Sequence, residues 1–503
     1  MSDELPQGWV TAPLNQIAEI NPRHPKGLDD TMQVTFVPMA GLSETKPEFQ
    51  FAEERLLGAV RKGFTHFAEG DVLFAKITPC MENGKGAVAR GLRNKLGCGT
   101  TELHVVRPLA GISPEYIYRF LAQDGVRRAA KENFTGTAGQ ARVPTSFIEE
   151  LEIPLAPLDE QRRIVAKLEK LLGKADACRK KLEWIPTLLK RFRQSVLAAA
   201  CSGHLTADWR EENPSDETGE DFSSKVLKHR AAAWERSGRK GVCQEAPIAD
   251  TSILPDVPRG WAWIPLGILG ANPFETVQTG PFGALLHKEE FTASGVPVVA
   301  VGNLTGMGFT KEGLYFVSDA KAQQLSRFDI QAGDVLFARS GATLGKACVA
   351  PSDAKDWRMT GHILRARLNR DFMIPDYCVF ALRGDPAVIR QVFGSVQGTT
   401  RPGYNTTLLE SIALPLAPLP EQQEIVRRVE SLFALADQLE ARLRAAERQV
   451  DALTPSLLAR AFAGRLVPQD PNDEPASALL ARIRTVGSSA VGPGRKKSRA
   501  VKE

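Results

Sequence analysis

The chain contains itself twice, and that duplication limits its fold more than any other feature. Pro6-Gln-Gly-Trp9 returns as Pro258-Arg-Gly-Trp261, and Gly70-Asp-Val-Leu-Phe-Ala75 as Gly333-Asp-Val-Leu-Phe-Ala338. Pro154-Leu-Ala-Pro-Leu-Asp-Glu-Gln161 returns as Pro415-Leu-Ala-Pro-Leu-Pro-Glu-Gln422, and Gly203-His-Leu205 as Gly464-Arg-Leu466. Four matches in the same order exclude chance, and the unit is far too long for a solenoid repeat. The offset is 252 at Trp9/Trp261, 263 at Gly70/Gly333, and 261 from Glu160/Glu421 to Gly203/Gly464. The front of each copy has changed length, whereas the back has kept it.

The constant part is helical. Ile164, Leu168, Leu171, Ala175, Cys178, Leu182, Ile185, Leu189, Phe192 and Val196 are spaced alternately by four and three. Ile425, Val429, Leu432, Ala436, Leu439, Leu443, Ala446, Val450, Leu453 and Leu457 repeat that spacing 261 residues later. A seam of this kind over more than four heptads is the signature of a coiled coil. A pair of amphipathic helices in a bundle is the plainer alternative. Pro186 lies off the seam but inside the helix, where a kink or break is expected. The seam spans about 50 Å at the rise of an α-helix.

Residues 1–157 and 258–418 read as mixed α/β globular domains. Short apolar stretches such as Val34–Met39, Val72–Ile77, Val296–Val301 and Val335–Ala338 alternate with loops and with short helices at Pro114–Leu121 and Pro375–Leu382. Residues 158–203 and 419–464 are the two long helices, and 204–257 is a polar connector with one helix over Phe222–Arg236. Residues 465–503 form a C-terminal tail whose basic end, from 487, is expected to be disordered. The net charge of +5 is compatible with nucleic acid and does not require it. The seven cysteines, at 80, 98, 178, 201, 243, 348 and 378, form no C-x-x-C motif and read as reduced cytosolic thiols. The acidic start lacks the apolar segment of a signal peptide. No apolar run is long enough to span a bilayer, so a cytoplasmic protein without membrane contact is expected.

The motifs of catalysis are missing. Gly341-Ala-Thr-Leu-Gly-Lys346-Ala347 is one residue short of a phosphate loop and lacks its Ser/Thr. Gly302-Asn-Leu-Thr-Gly-Met-Gly308 lacks dinucleotide spacing. Asn272-Pro-Phe274 and Asn21-Pro-Arg23 read as turns rather than as an amino-methyltransferase loop. A nuclease core drawn through Asp256, Asp319 and Lys321 has too long a gap and no counterpart in the first copy. The seven histidines show no metal-ligand spacing, and no metal is expected.

Polar loops do recur at matching positions. Lys76, Thr78, Asn83 and Lys85 follow the Gly-Asp-Val-Leu-Phe stretch in the first copy; Arg339, Ser340, Thr343 and Lys346 follow it in the second. Gln140 and Arg142 are echoed by Gln397, Thr399 and Arg401, and Gln278 stands in Gln278-Thr-Gly-Pro-Phe-Gly283. Lys and Arg can meet phosphates, and Gln, Asn, Thr and Arg can pair with base edges. These fourteen residues are the candidate DNA contacts.

On these residues the chain resembles the specificity subunits of type I restriction-modification enzymes. The resemblance rests on the paired Gly-Asp-Val-Leu-Phe-Ala strands, on Phe74-Ala-Lys-Ile-Thr-Pro-Cys-Met-Glu-Asn-Gly-Lys85, on Gln278-Thr-Gly-Pro-Phe-Gly283 and on the doubled Pro-Leu-Ala-Pro-Leu-x-Glu-Gln. It implies two target-recognition domains, 1–157 and 258–418, separated by an antiparallel coiled coil with internal pseudo-two-fold symmetry. It also implies double-stranded DNA as ligand and two methyltransferase subunits as partners, with or without restriction and translocase subunits. S-adenosylmethionine, ATP and magnesium would belong to those partners, and this chain would hold no cofactor and catalyse nothing. The antiparallel arrangement also follows from symmetry, because the local two-fold axes of a duplex lie across its length. A fused methyltransferase or nuclease with unrecognised motifs, and a coiled-coil protein without a DNA role, are the competing readings.

Overall fold

The computed structural model describes residues 5–136, 141–238, 254–281, 285–306, 308–339, 345–394 and 405–490. The chain divides into two compact units, 1–183 with 444–503, and 184–443.

In the first unit a four-stranded sheet runs in the order Ala18–Ile20, Leu103–Pro108, Val72–Ala75, Gly86–Val88. A second runs Glu53–Leu56, Gln33–Val37, Leu96–Gly99, Thr65–Ala68, and Val10–Pro13 pairs with Glu152–Leu155. In the second unit the corresponding sheets are Val277–Thr279, Ile363–Ala366, Val335–Ala338, Ala347–Val349 and Tyr315–Val317, Val296–Val299, Trp357–Met359, Asp329–Ile330. Ala262–Pro265 pairs with Ala413–Leu416. Among the described residues there are twenty strands, and each of the first ten has the same partners as the strand ten places later. The parallel pairing also repeats, Thr35 with Gly97 and Val298 with Arg358.

The duplicated motifs are the fastenings of this scaffold. Asp71 takes the backbone N–H of Ala68 at 2.7 Å and both prongs of Arg107 at 2.8 and 2.7 Å. Asp334 takes the N–H of Gln331 at 2.8 Å and Arg367 at 2.9 and 2.7 Å. Each aspartate follows a glycine in the left-handed region, Gly70 at φ +86° and Gly333 at φ +82°, which a side chain would strain. Bidentate Arg–carboxylate pairs of this kind fix geometry as well as adding energy. Tyr116 and Tyr377, both fully buried, donate their hydroxyls to the carbonyls of Pro154 and Pro415 at 2.6 and 2.5 Å.

The long helices begin where each Pro-Leu motif ends. The first runs Leu158–Leu182 and resumes at Ile185–Cys201, so the expected break falls at Glu183 and Trp184, just before Pro186. The second is continuous over Leu419–Phe462 with Pro455 inside it. Within the first unit Glu160, near the start of the first helix, is bonded to Gln469, which follows the end of the second, while Arg179 reaches back to Asp451 at 3.2 Å. Within the second unit Arg193 bonds Asp437 at 2.6 Å, and Thr206, past the end of its helix, bonds Glu421 at the start of the other at 2.6 Å. In each unit the two helices are therefore antiparallel.

Of the seam residues, Ile164, Leu168, Leu189, Ile425, Val429 and Leu443 are buried and Leu171, Leu182, Leu432 and Val450 half-buried. Cys178, Leu439 and Leu453 are exposed, contrary to an unbroken seam. Leu172, one place from Leu171, is the more buried of the two. A straight helix drifts by about 20° per heptad against a strict seven-residue repeat.

The connector and the tail are more ordered than their polarity suggests. Gly219–Arg236 is helical and puts Phe222 and Val226 into the core of the second unit. Ala476–Ala490 is helical and puts Ala476, Leu479, Leu480 and Ile483 into the core of the first. The spacing 476, 479, 480, 483 is one apolar helix face. The basic end from 491 lies outside the described residues.

Candidate nucleic-acid interface

The polar loop of each unit hangs from the same stem. In the first, the backbone N–H of Ala75 is bonded to the carbonyl of Lys85 at 3.0 Å; in the second, Ala338 is bonded to Lys346 at 3.0 Å. The offset falls from 263 at Ala75/Ala338 to 261 at Lys85/Lys346, so the second loop is two residues shorter. The stem is shared and its contents are not.

In the first unit the strand end and the neighbouring loop are knitted together. The N–H of Lys76 goes to Glu102 at 3.0 Å, that of Val143 to Lys76 at 2.9 Å, and that of Thr78 to Ala141 at 3.2 Å. Thr135 and Arg142 exchange two backbone bonds of 2.9 Å, and Gln140, between them in the chain, lies outside the described residues. Lys76, Thr78 and Arg142 thus sit side by side, each half-buried. Arg142 is held by Glu102 through two bonds of 2.8 and 2.9 Å. That bond keeps the Glu102 carboxyl below its usual range and pushes the guanidinium further up. Arg142 is thereby aimed by a carboxylate rather than freely mobile. Lys85 turns toward the carbonyl of Met39 at 3.5 Å.

Asn83 is exposed and bonds Glu44 at 3.2 Å. It faces a cleft of about 940 Å³ lined also by Asp124, Arg127, Asp176 and Arg179. Arg127 is paired with Asp124 and Arg179 with Asp176, so these four charges satisfy one another in pairs.

In the second unit Arg339 and Lys346 stand half-buried at the two feet of the loop. Ser340, Thr343, Gln397, Thr399 and Arg401 lie outside the described residues. Gln278 is misread as a DNA contact. It is buried in the sheet opposite Arg365, whose guanidinium donates to its Oε1 at 2.8 Å. Both faces of this short strand are covered, since Val277 beside it is buried as well.

A pair of positions carries no mark in the sequence. The N–H of Arg339 goes to the carbonyl of His362 at 3.0 Å, as that of Lys76 goes to Glu102. Glu102 and His362 are therefore equivalent, and a carboxylate beside one loop is replaced by an imidazole beside the other. Their signal lies in the strand pairing and not in either loop.

Comparison with known proteins decides what these loops belong to. The Type I restriction modification DNA specificity domain matches residues 6–186 and 282–447. The chain belongs to this family. Over 99% of its length it is 26% identical to the type I restriction enzyme EcoKI specificity subunit of Escherichia coli (strain K12), covering 98% of that protein. It is 27% identical to the EcoEI specificity subunit of Escherichia coli, over 90% of this chain and 83% of that one. The fold is similar to that of the HsdS subunit from Thermoanaerobacter tengcongensis, with a TM-score of 0.61 and 18% identity over 92% of this chain and 98% of that one. As a specificity subunit, the chain carries its two family regions on the duplicated scaffold, with the variable loops at corresponding stems. Among the described residues no helix is long and apolar enough to cross a membrane.

Proposed function

We propose that this specificity subunit reads an asymmetric, bipartite DNA target, one half-site through each globular domain, and directs partner subunits to it. The observation that carries the reading is the contrast between identical fastenings and unlike loops. Asp71–Arg107 and Asp334–Arg367 are the same structure twice, whereas the loops between Ala75 and Lys85 and between Ala338 and Lys346 differ in length and sequence. A scaffold conserved between copies with diverged polar loops suits two different base readings. Arg142, Lys76 and Thr78 are proposed as contacts in the first domain, with Arg339 and Lys346 in the second.

The chemistry resides on partners in this reading. Two methyltransferase subunits would bring S-adenosylmethionine, and restriction or translocase subunits would bring ATP and magnesium; this chain would catalyse nothing and act in the cytoplasm. The test is methylation mapping of the host genome. The expected pattern is two unlike short half-sites with an unread gap of roughly 5–8 base pairs, from the spacing of groove faces along a duplex. A continuous site or a perfect palindrome contradicts the proposal, and methylation by the purified chain alone contradicts the assignment of chemistry to partners.

A further inference from the structure

Three side chains far apart in sequence meet on one sheet of the first unit. His66 and Cys98 are cross-strand neighbours on Thr65–Ala68 and Leu96–Gly99, and His24 comes from the loop after Ala18–Ile20. Each offers one ligand atom, and all of these atoms lie within 4.8 Å of one another. The two imidazoles are stacked at 4.4 Å.

The hydrogen bonds fix the tautomers. Nε2 of His24 lies 2.9 Å from the carbonyl of Phe67, and Nε2 of His66 lies 2.8 Å from that of Arg61. A carbonyl only accepts, so each Nε2 carries the hydrogen and each Nδ1 keeps a lone pair. Nδ1 of His66 receives a long bond of 3.3 Å from the backbone of His24. Nδ1 of His24 is buried with no partner, a costly state for a polar atom. His24 has the arrangement of a metal-binding histidine, one nitrogen donating to a carbonyl and the other free for the ion, whereas at His66 an ion would replace the long bond from the His24 backbone.

We propose that His24 Nδ1, His66 Nδ1 and Cys98 Sγ form a binding site for a thiophilic closed-shell cation, Zn²⁺ or Cu⁺. Imidazole and thiolate are the donors such ions prefer. Burial pushes the Cys98 thiol up to about 12. On binding, the S–H bond breaks, the sulfur–metal bond forms and one proton leaves to solvent. The ion would tie the loop that carries His24 to the sheet. The site has no counterpart in the second unit: there the position of His66 is Asp329 and that of Cys98 is Arg358, paired in the same register. Arg358 spends its guanidinium on the carbonyls of Ala322, Asp356 and Trp357.

The experiment uses the full chain, stripped with a chelator and titrated with Co²⁺ as a probe, with Zn²⁺, and anaerobically with Cu⁺. We expect one equivalent bound by at least one of these ions, a thiolate-to-metal charge-transfer band, and release of about one proton per ion. His24→Ala and Cys98→Ser should each weaken binding by more than about tenfold, while Cys178→Ser, at an exposed thiol, leaves it unchanged. His24→Ala alters a loop and not the sheet, so it reports even if Cys98→Ser fails to fold. Absence of stoichiometric binding by all three ions, or binding that His24→Ala leaves intact, overturns the proposal.

Discussion

Trp9 donates its indole N–H to the buried carboxylate of Glu160 at 2.9 Å, and Gln469, from beyond the end of the other long helix, donates to the second oxygen at 3.2 Å. Trp261 does the same to Glu421 at 2.7 Å, with Thr206 and Arg210 on the other oxygen. The segment after each long helix therefore closes onto the domain at whose base the other helix begins. Glu160→Ala removes an acceptor from two donors, and we expect a loss of about 2–3 kcal/mol, measured by chemical denaturation. An unchanged midpoint would show that this fastening carries no stability.

Two glutamates should give opposite pH trends. Burial pushes the Glu160 carboxyl above its usual 4.5, so its protonated form contributes more to folding than its ionised form. Its favourable contribution is present at low pH and declines as pH rises through the folded value. The stability of the parent relative to Glu160→Gln should fall accordingly. Glu424 is held at about 2 by Arg427 and Arg428, so its contribution is present above 4.5 and is lost as pH falls from there toward 2. The parent should therefore gain on Glu424→Gln as pH rises through that interval. Parallel stability–pH curves for parent and variant would refute either assignment.

The closing turns are glycines for a reason that can be tested. Gly203 at φ +77° and Gly464 at φ +66° hold a conformation that strains any side chain, and a β-carbon at either would collide with Pro258 or Pro6. Gly464→Ala and Gly203→Ala should each cost about 1–3 kcal/mol in denaturant titration. A shift below a few tenths would mean that the turn relaxes freely.

Much of this architecture is legible in the sequence because it is periodic or repeated. The heptad pattern marks both helices, and the repeated Asp71 and Asp334 mark the scaffold. What stays hidden depends on strand order. Gln278 looks like a base reader until Arg365, 87 positions away in the chain, is found beside it. His24, His66 and Cys98 have no ligand spacing because the register of the sheet, and not the sequence, makes them neighbours. The folded tail is hard to see because the stripe of Ala476, Leu479, Leu480 and Ile483 is short and set in polar sequence.

The first helix carries eleven Lys/Arg against four Asp/Glu between Glu160 and Ser195. Its densest run, Arg179 to Lys181, is not wholly free, since Arg179 is paired with Asp176 and Asp451. Lys167, Lys170, Lys174 and Lys181 are exposed, fall on one helix face, and among the described residues join no ion pair. If they face phosphates, replacing all four with Ala lowers the salt slope of DNA binding by about 0.9 for each phosphate no longer neutralised. An unchanged slope would leave the stripe to solvent or to a protein partner.

The long helices should set the gap between half-sites. Both pass from one compact unit to the other, the first between Glu183 and Trp184 and the second between Leu443 and Arg444. Seven-residue insertions after Leu182 and after Leu443 therefore fall at the junction in both helices. They lengthen the connection by about 10 Å at 1.5 Å per residue, or about three base pairs at 3.4 Å each, and a whole heptad keeps the seam in phase. An insertion in one helix alone would put the pair out of step, so the two must be made together. The half-sites themselves should not change, because Lys76, Thr78, Arg142, Arg339 and Lys346 are untouched. Three base pairs also turn the duplex by roughly a third of a revolution, which opposes joint engagement of the grooves. The expected outcome is a target with the same half-sites and a wider gap, bound more weakly, or loss of specific binding altogether. Recognition of the original gap at full affinity would show that the helices are not the ruler, and the bipartite reading would lose its mechanical basis.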